Sequence, residues 1–167
     1  MKKLLQMKAM LLLCALIVGS GSVWATVTWE KATSIQVGDV IVIVIEKPSS
    51  QKELTSFSSG STVYGIGSDY TSTPAGTYTF TVEDGKSDGT FAFKHGSNYL
   101  SWTSGNSLNV NATLSNNTSW TVSFSGTDAT IKNANDETRQ IWWNVSNPRF
   151  ACYTGKTDGN SYYITTI

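Results

Sequence analysis

Slid along itself by 42 residues, the chain meets a copy of its own pattern. "YLSW" at 99–102 falls on "IWWN" at 141–144, "LNV" at 108–110 on "FAC" at 150–152, and "WTV" at 120–122 on "YYI" at 162–164. A shift of 38 sets "FAFK" at 91–94 on "ATIK" at 129–132. The four-residue difference reads as an insertion in "NANDETRQ" relative to "HGSN". A shift of 40 brings "FTV" at 80–82 onto "WTV". The first pass is looser: "YGI" at 64–66 takes the place of "LNV", and "IVIVI" at 41–45 supplies the opening strand. Self-similarity at a period of roughly 40 residues means copies of one supersecondary unit that bury their apolar faces together. Inside each copy the pattern alternates with period two, rich in Val, Ile, Thr, Phe, Tyr and Trp, and is cut by Gly, Asn, Asp and Ser. That is the pattern of short strands and tight turns, and no run shows apolar residues at helical spacing.

Three units, each of about four short strands, predict an all-β chain. The arrangement that lets three such units share one core is a β-trefoil, a short barrel capped by hairpins; a β-sandwich or another small β-barrel is the alternative. "HGSNYLSW" at 95–102 resembles the Gly-x-Tyr-Leu-Ser strand of fascin-type trefoils. "SWTVSFSGTDATIKN" at 119–133 is similar to the strand–turn–strand joint of ricin-type lectin trefoils. The opening "WEKATSIQVGDVIVIV" and the closing "RFACY" resemble secreted modules of Gram-negative gut bacteria. The lectin resemblance does not carry the lectin site with it. Where that family has Gln-x-Trp, Trp120 matches the tryptophan but Thr118 stands in place of the glutamine. The corresponding places in the other units hold Tyr78 and Asn160, and the true Gln-x-Trp, Gln140 to Trp142, lies elsewhere in its unit.

Residues 1–25 have the layout of a secretory signal peptide: Lys2, Lys3 and Lys8, an apolar stretch from Ala9 to Val18, then small residues up to Ala25. The stretch is short for a membrane span. A single domain over 26–167 follows, long enough for a sizeable core. Three of the twelve Lys and Arg residues lie in the leader, which leaves nine against twelve Asp and Glu, a balance of about −3. An acidic balance excludes a nucleic-acid partner, whose affinity comes from a basic face. No polybasic patch offers itself to anionic lipid, and no membrane insertion is expected after the leader is removed. With Cys14 in the leader, Cys152 has no partner inside the chain, so stability must come from packing. The expected destination is the periplasm or the outside of the cell.

Equivalent strand positions in a repeat share a face. Leu108 matches Phe150, and Val110 matches Cys152, with Ile66 as the third member. Trp120 matches Tyr162 and Phe80, and Val122 matches Ile164 and Val82. All are expected in the core, as is Trp142 opposite Leu100; free cysteine behaves there as a small hydrophobe. Three positions break the rule. Trp143 matches Ser101, Tyr153 matches Asn111, and Tyr163 matches Thr121 and Thr81. These are expected to face outward, as a ring platform of the kind that stacks on sugars, or to pack against the segment "TVTWEK" or long loops. Trp102, opposite Asn144, and Arg149, beside the core strand, complete the candidate ligand-binding set.

No residue is a candidate for catalysis. His95, the only histidine, sits in a polar hairpin turn, and the repeat places it on a different unit from Cys152. One His and one Cys fall short of a zinc site. "DGKSDG" at 84–89 lacks the calcium-loop register and reads as a turn. No metal and no cofactor is implied. The function expected is a secreted, non-catalytic binding module with a glycan or a cell-surface protein as partner. A structural or adhesin-like interaction module is the alternative, and a hydrolase the weakest reading.

Overall fold

A computed structural model describes residues 29–47 and 50–155, together with the backbone of 162–166. The expected leader, 1–25, lies outside the described residues. The chain is all-β. Its strands are β1 (Glu30–Lys31), β2 (Val40–Lys47), β3 (Ser50–Phe57), β4 (Gly65–Asp69), β5 (Phe80–Asp84), β6 (Phe91–His95) and β7 (Asn98–Ser101). Then come β8 (Asn109–Asn111), β9 (Trp120–Ser125), β10 (Asp128–Asn133), β11 (Asp136–Asn144), β12 (Arg149–Tyr153) and β13 (Tyr162–Thr166).

Six of these close a ring. β2 pairs with β5, β5 with β6, β6 with β9, β9 with β10, β10 with β13, and β13 returns to β2. The remaining long strands form hairpin pairs, β3 with β4, β7 with β8, and β11 with β12. Each hairpin is inserted between two ring strands of one unit, which is the plan of a β-trefoil. Closure removes the open edges that a sheet would otherwise expose. The repeat is visible in the register. Ile41 lies opposite Phe80, Phe91 opposite Trp120, and Ala129 opposite Tyr162, one pair from each unit.

The core runs through the ring and under the hairpins. Phe80, Phe93, Trp120, Leu54, Leu100, Leu108, Ile131, Ile141, Phe150 and Cys152 are all fully buried. β2 is buried on both faces from Ile41 to Ile45, as its uninterrupted β-branched run requires. The "DGKSDG" segment is the β5–β6 turn, closed by the Gly85 amide donating to the Thr90 carbonyl at 2.9 Å.

Three expectations about facing need correction. The first is Ile66, which is 44% exposed. In unit one the inward positions of β4 are Gly65 and Gly67. A Cβ on Gly65 would come within 2.5 Å of Leu54 and 2.9 Å of Phe150, and one on Gly67 within 2.6 Å of Trp143. Bulky residues of other strands fill the space these glycines leave, so Ile66 is turned out.

The second is Trp143, which is 3% exposed and belongs to the core. Lys94 opposes Tyr99 in unit two, and Lys132 opposes Gln140 in unit three. Leu100 opposes Val110, and Ile141 opposes Cys152. Tyr99 therefore corresponds to Gln140 and Leu100 to Ile141, a shift of 41 and not 42. The four extra residues are split, three before β11 and one in the turn after it. A slip of one residue moves every side chain to the other face. Trp143 thus corresponds to Trp102, and both point inward. The third correction is Trp102 itself, 8% exposed, with its indole Nε1 donating to the Gly105 carbonyl at 2.9 Å.

Candidate functional site

The β11–β12 hairpin has two faces with different fates. Trp143, Ile141, Phe150 and Cys152 line the inner one. Trp143 meets Phe150 edge to face at 4.9 Å between ring centroids. The outer face carries Gln140, Trp142 and Asn144 on β11 and Arg149, Ala151 and Tyr153 on β12, by alternation along the strands; of these Trp142, expected in the core, Ala151 and Tyr153 are themselves buried.

At the turn end of that outer face, polar groups converge on Tyr153. Asn144 Nδ2 donates to its hydroxyl at 3.0 Å, and Arg149 Nε donates to the same oxygen at 3.2 Å. Asn144 Oδ1 is held in turn by the Asn147 amide at 2.9 Å, so the hairpin turn fixes the orientation of the amide. The Arg149 guanidinium lies 3.8 Å from the ring centroid of Tyr64, close enough for cation–π attraction. Tyr64 comes from the stretch before β4, where its backbone amide donates to Ser58 Oγ and its carbonyl accepts from the Ser58 amide. Phe150 pairs with Gly65, which brings β4 alongside β12 and places exposed Ile66 beside Arg149. Val145, 48% exposed, stands in the turn between Asn144 and Arg149. The result is a surface patch with an aromatic ring, an oriented cation, an amide and two apolar side chains, set over the buried phenol of Tyr153.

Of the five residues singled out in the sequence, the structure brings Arg149 and Tyr153 together. Tyr153 lies on the strand face opposite Phe150 and Cys152, but it is 7% exposed and belongs to the buried cluster, with Arg149 and Asn144 bonded over its hydroxyl, so its outward exposure is corrected. The open three-aromatic platform is therefore corrected. Trp143 is on the opposite face, and Trp102 lies in the second unit with the Arg139 guanidinium 5.5 Å over its ring. The side chain of Tyr163 lies outside the described residues; its strand pairs with β1 only at Thr165 and Thr166. Tyr64 and Asn144 were missed as site residues. Asn144 closes a turn and Tyr64 follows a Ser/Gly-rich loop; the repeat set Tyr64 against Leu108 and Asn144 against Trp102, and neither match marks a binding residue.

Elsewhere the reactive side chains are occupied. Cys152 is fully buried, and burial pushes its thiol well above the usual range, with the Arg139 charge pulling the other way to a smaller extent. The thiolate is the reactive form, so native protein should resist alkylation. Labelling is expected at the rate of unfolding, and fast modification under native conditions would contradict the buried assignment. The sign for stability follows. The unfolded thiol ionises near pH 8.5 and the folded one does not, so this group lowers stability as pH rises through that value. His95 stacks on Tyr78 at 3.8 Å between centroids, with Nδ1 2.8 Å from the Thr79 carbonyl.

No family model matches the chain, and no curated protein does. Solved structures do. One is a mosquitocidal holotoxin, with 14% identity and a TM-score of 0.60, covering 80% of this chain and 18% of that one. Another is the GlcNAcα1-4Gal-releasing endo-β-galactosidase from Clostridium perfringens, with 12% identity and a TM-score of 0.58, covering 77% of this chain and 32% of that one. A third is SeviL bound to asialo-GM1 saccharide, with 10% identity and a TM-score of 0.54, covering 77% of this chain and 97% of that one. The chain thus spans less than a third of the first two and nearly all of the third. At such identities the likeness is one of fold, and it agrees with the closed ring and hairpin caps in making this an all-β domain of β-trefoil type.

Proposed function

We propose that the protein is a secreted, non-catalytic carbohydrate-binding module. The observation that carries this reading is the convergence of Tyr64, Arg149, Tyr153 and Asn144 on one outer face, rimmed by Ile66 and Val145. Sugars present apolar C–H faces and rings of hydroxyls, and they are recognised by aromatic and apolar surface beside a few fixed hydrogen-bonding groups. Likeness to SeviL, a structure bound to a saccharide, supports the reading at the level of fold, and fold alone does not give function. Export rests on the layout of residues 1–25. The test is binding of the wild type and of Tyr64→Ala to a glycan array. The wild type should bind a restricted set of glycans, and the variant should lose at least tenfold in affinity while still folded. An empty array, or a variant that binds like the wild type, would sink it.

A second reading is a protein-interaction module, and the exposed Ile66 and Val145 favour it. It predicts a protein partner whose binding is lost on Ile66→Ser with Val145→Ser and is indifferent to competing sugars.

A further inference from the structure

Arg149 is a half-buried cation with an unusual set of neighbours. Its Nε donates to a neutral phenol and its plane lies on a neutral ring. No carboxylate lies within ion-pair distance of it among the described residues. The two segments that frame it are uncharged: Ser-Ser-Gly-Ser-Thr-Val-Tyr at 58–64 and Val-Ser-Asn-Pro at 145–148. The acids on the packed strands are far along them or engaged. Asp69 is paired with Lys52 at 2.6 Å, Asp136 accepts from Thr138 near the start of β11, and Glu137 is exposed beside it. Glu53 is buried and accepts from the Gly76 amide and the Thr77 hydroxyl. None of the acids among the described residues is placed as a counter-charge here.

Partial burial of a cation without a counter-charge costs free energy unless something compensates it. Here the guanidinium is also held still. The Tyr64 ring fixes its plane, and the Nε–Tyr153 bond fixes its rotation within that plane. Four of its five N–H donors, those on the two terminal nitrogens, have no partner among the described residues. An oriented fork of this kind matches the two oxygens of a carboxylate or sulfate, and its rotamer entropy is already lost before the ligand arrives.

We propose that the patch selects acidic sugars and that Arg149 receives the ligand's oxyanion, a carboxylate or a sulfate carried on a sugar ring. Tyr64 and Tyr153 act as positioning residues for the guanidinium, and Ile66 and Val145 meet the apolar side of the same sugar. This rests on the carbohydrate-binding reading and narrows it to a ligand class.

The experiment is calorimetric titration of the folded protein with three matched oligosaccharides that share a backbone: one neutral, one carrying a uronic or sialic carboxylate, and one carrying a sulfate. The wild type should bind at least one acidic member tenfold or more tightly than the neutral one, and which acid wins identifies the oxyanion. Arg149→Lys keeps the charge and loses the fork, so it should reduce acidic binding about tenfold more than it reduces neutral binding, and the ratio of acidic to neutral affinity should fall accordingly. Raising salt should weaken the acidic complex only. Equal binding of neutral and acidic members by the wild type overturns the acidic assignment and leaves the carbohydrate reading standing. An acidic preference that survives in Arg149→Lys unchanged overturns the role of Arg149. Failure to bind any of the three, together with an empty glycan array, overturns both. The wild-type comparison stands even if the variant is unstable.

Discussion

Trp143→Ala should lower the unfolding free energy by about 3–5 kcal/mol, the range for emptying a large aromatic site in a core. The indole is 3% exposed, packs edge to face on Phe150, and fills the space above Gly67. The surroundings cannot collapse into the gap easily, because the facing strand presents a glycine and not a side chain that could swing in. A surface aromatic would cost no more than about 0.5 kcal/mol, so the substitution separates an inward from an outward tryptophan directly. Urea unfolding followed by far-ultraviolet circular dichroism measures it without relying on the fluorescence of the deleted ring. A loss of only a few tenths would restore the outward reading.

Trp120→Ala should be at least as damaging, again about 3–5 kcal/mol with the loss of a buried hydrogen bond added. Trp120 is fully buried, lies opposite Phe91 across a ring joint and opposite Asn133 across the next, and donates from Nε1 to the Leu100 carbonyl at 3.0 Å. It therefore ties the ring to the cap hairpin of unit two. Trp120→Phe keeps most of the apolar volume and removes the donor, so its cost should fall between wild type and alanine. Domains of this size hold only about 5–15 kcal/mol of net stability, and the alanine variant should be mostly unfolded on mild heating. Thermal melts of the three proteins test the order, and a phenylalanine variant as unstable as alanine would show that the hydrogen bond, not the packing, dominates.

These two tryptophans also show where the sequence was legible. Trp120 sits in a strand whose "WTV" recurs as "FTV" and "YYI" at shifts of 40 and 42, with the alternation intact in each copy, and its burial follows from the repeat alone. Trp143 sits between two turns that both differ in length from their counterparts. The total insertion is visible in the sequence, but its division into three and one is not, and strand side chains change face with every residue. Cys152 was legible for the same reason as Trp120, since it lies beyond both turns where the count is again secure. Arg149 was noticed as the charge beside a core strand, but Tyr64 follows a loop and Asn144 ends β11 where it closes a turn, places where local hydrogen bonding and not periodicity sets the conformation.

The sequence by itself determined that the chain is built from strands, that the pattern recurs three times, and that one shared core takes Phe80, Trp120, Leu108, Phe150 and Cys152. Those follow from alternation and repetition, which act along the chain. Only the tertiary structure decided the register of β11, the outward turn of Ile66 and the gathering of Tyr64, Arg149 and Tyr153. Those depend on contacts between units, where two glycines on β4 make room for another unit's aromatics and bring its arginine against a tyrosine more than eighty positions away in the chain.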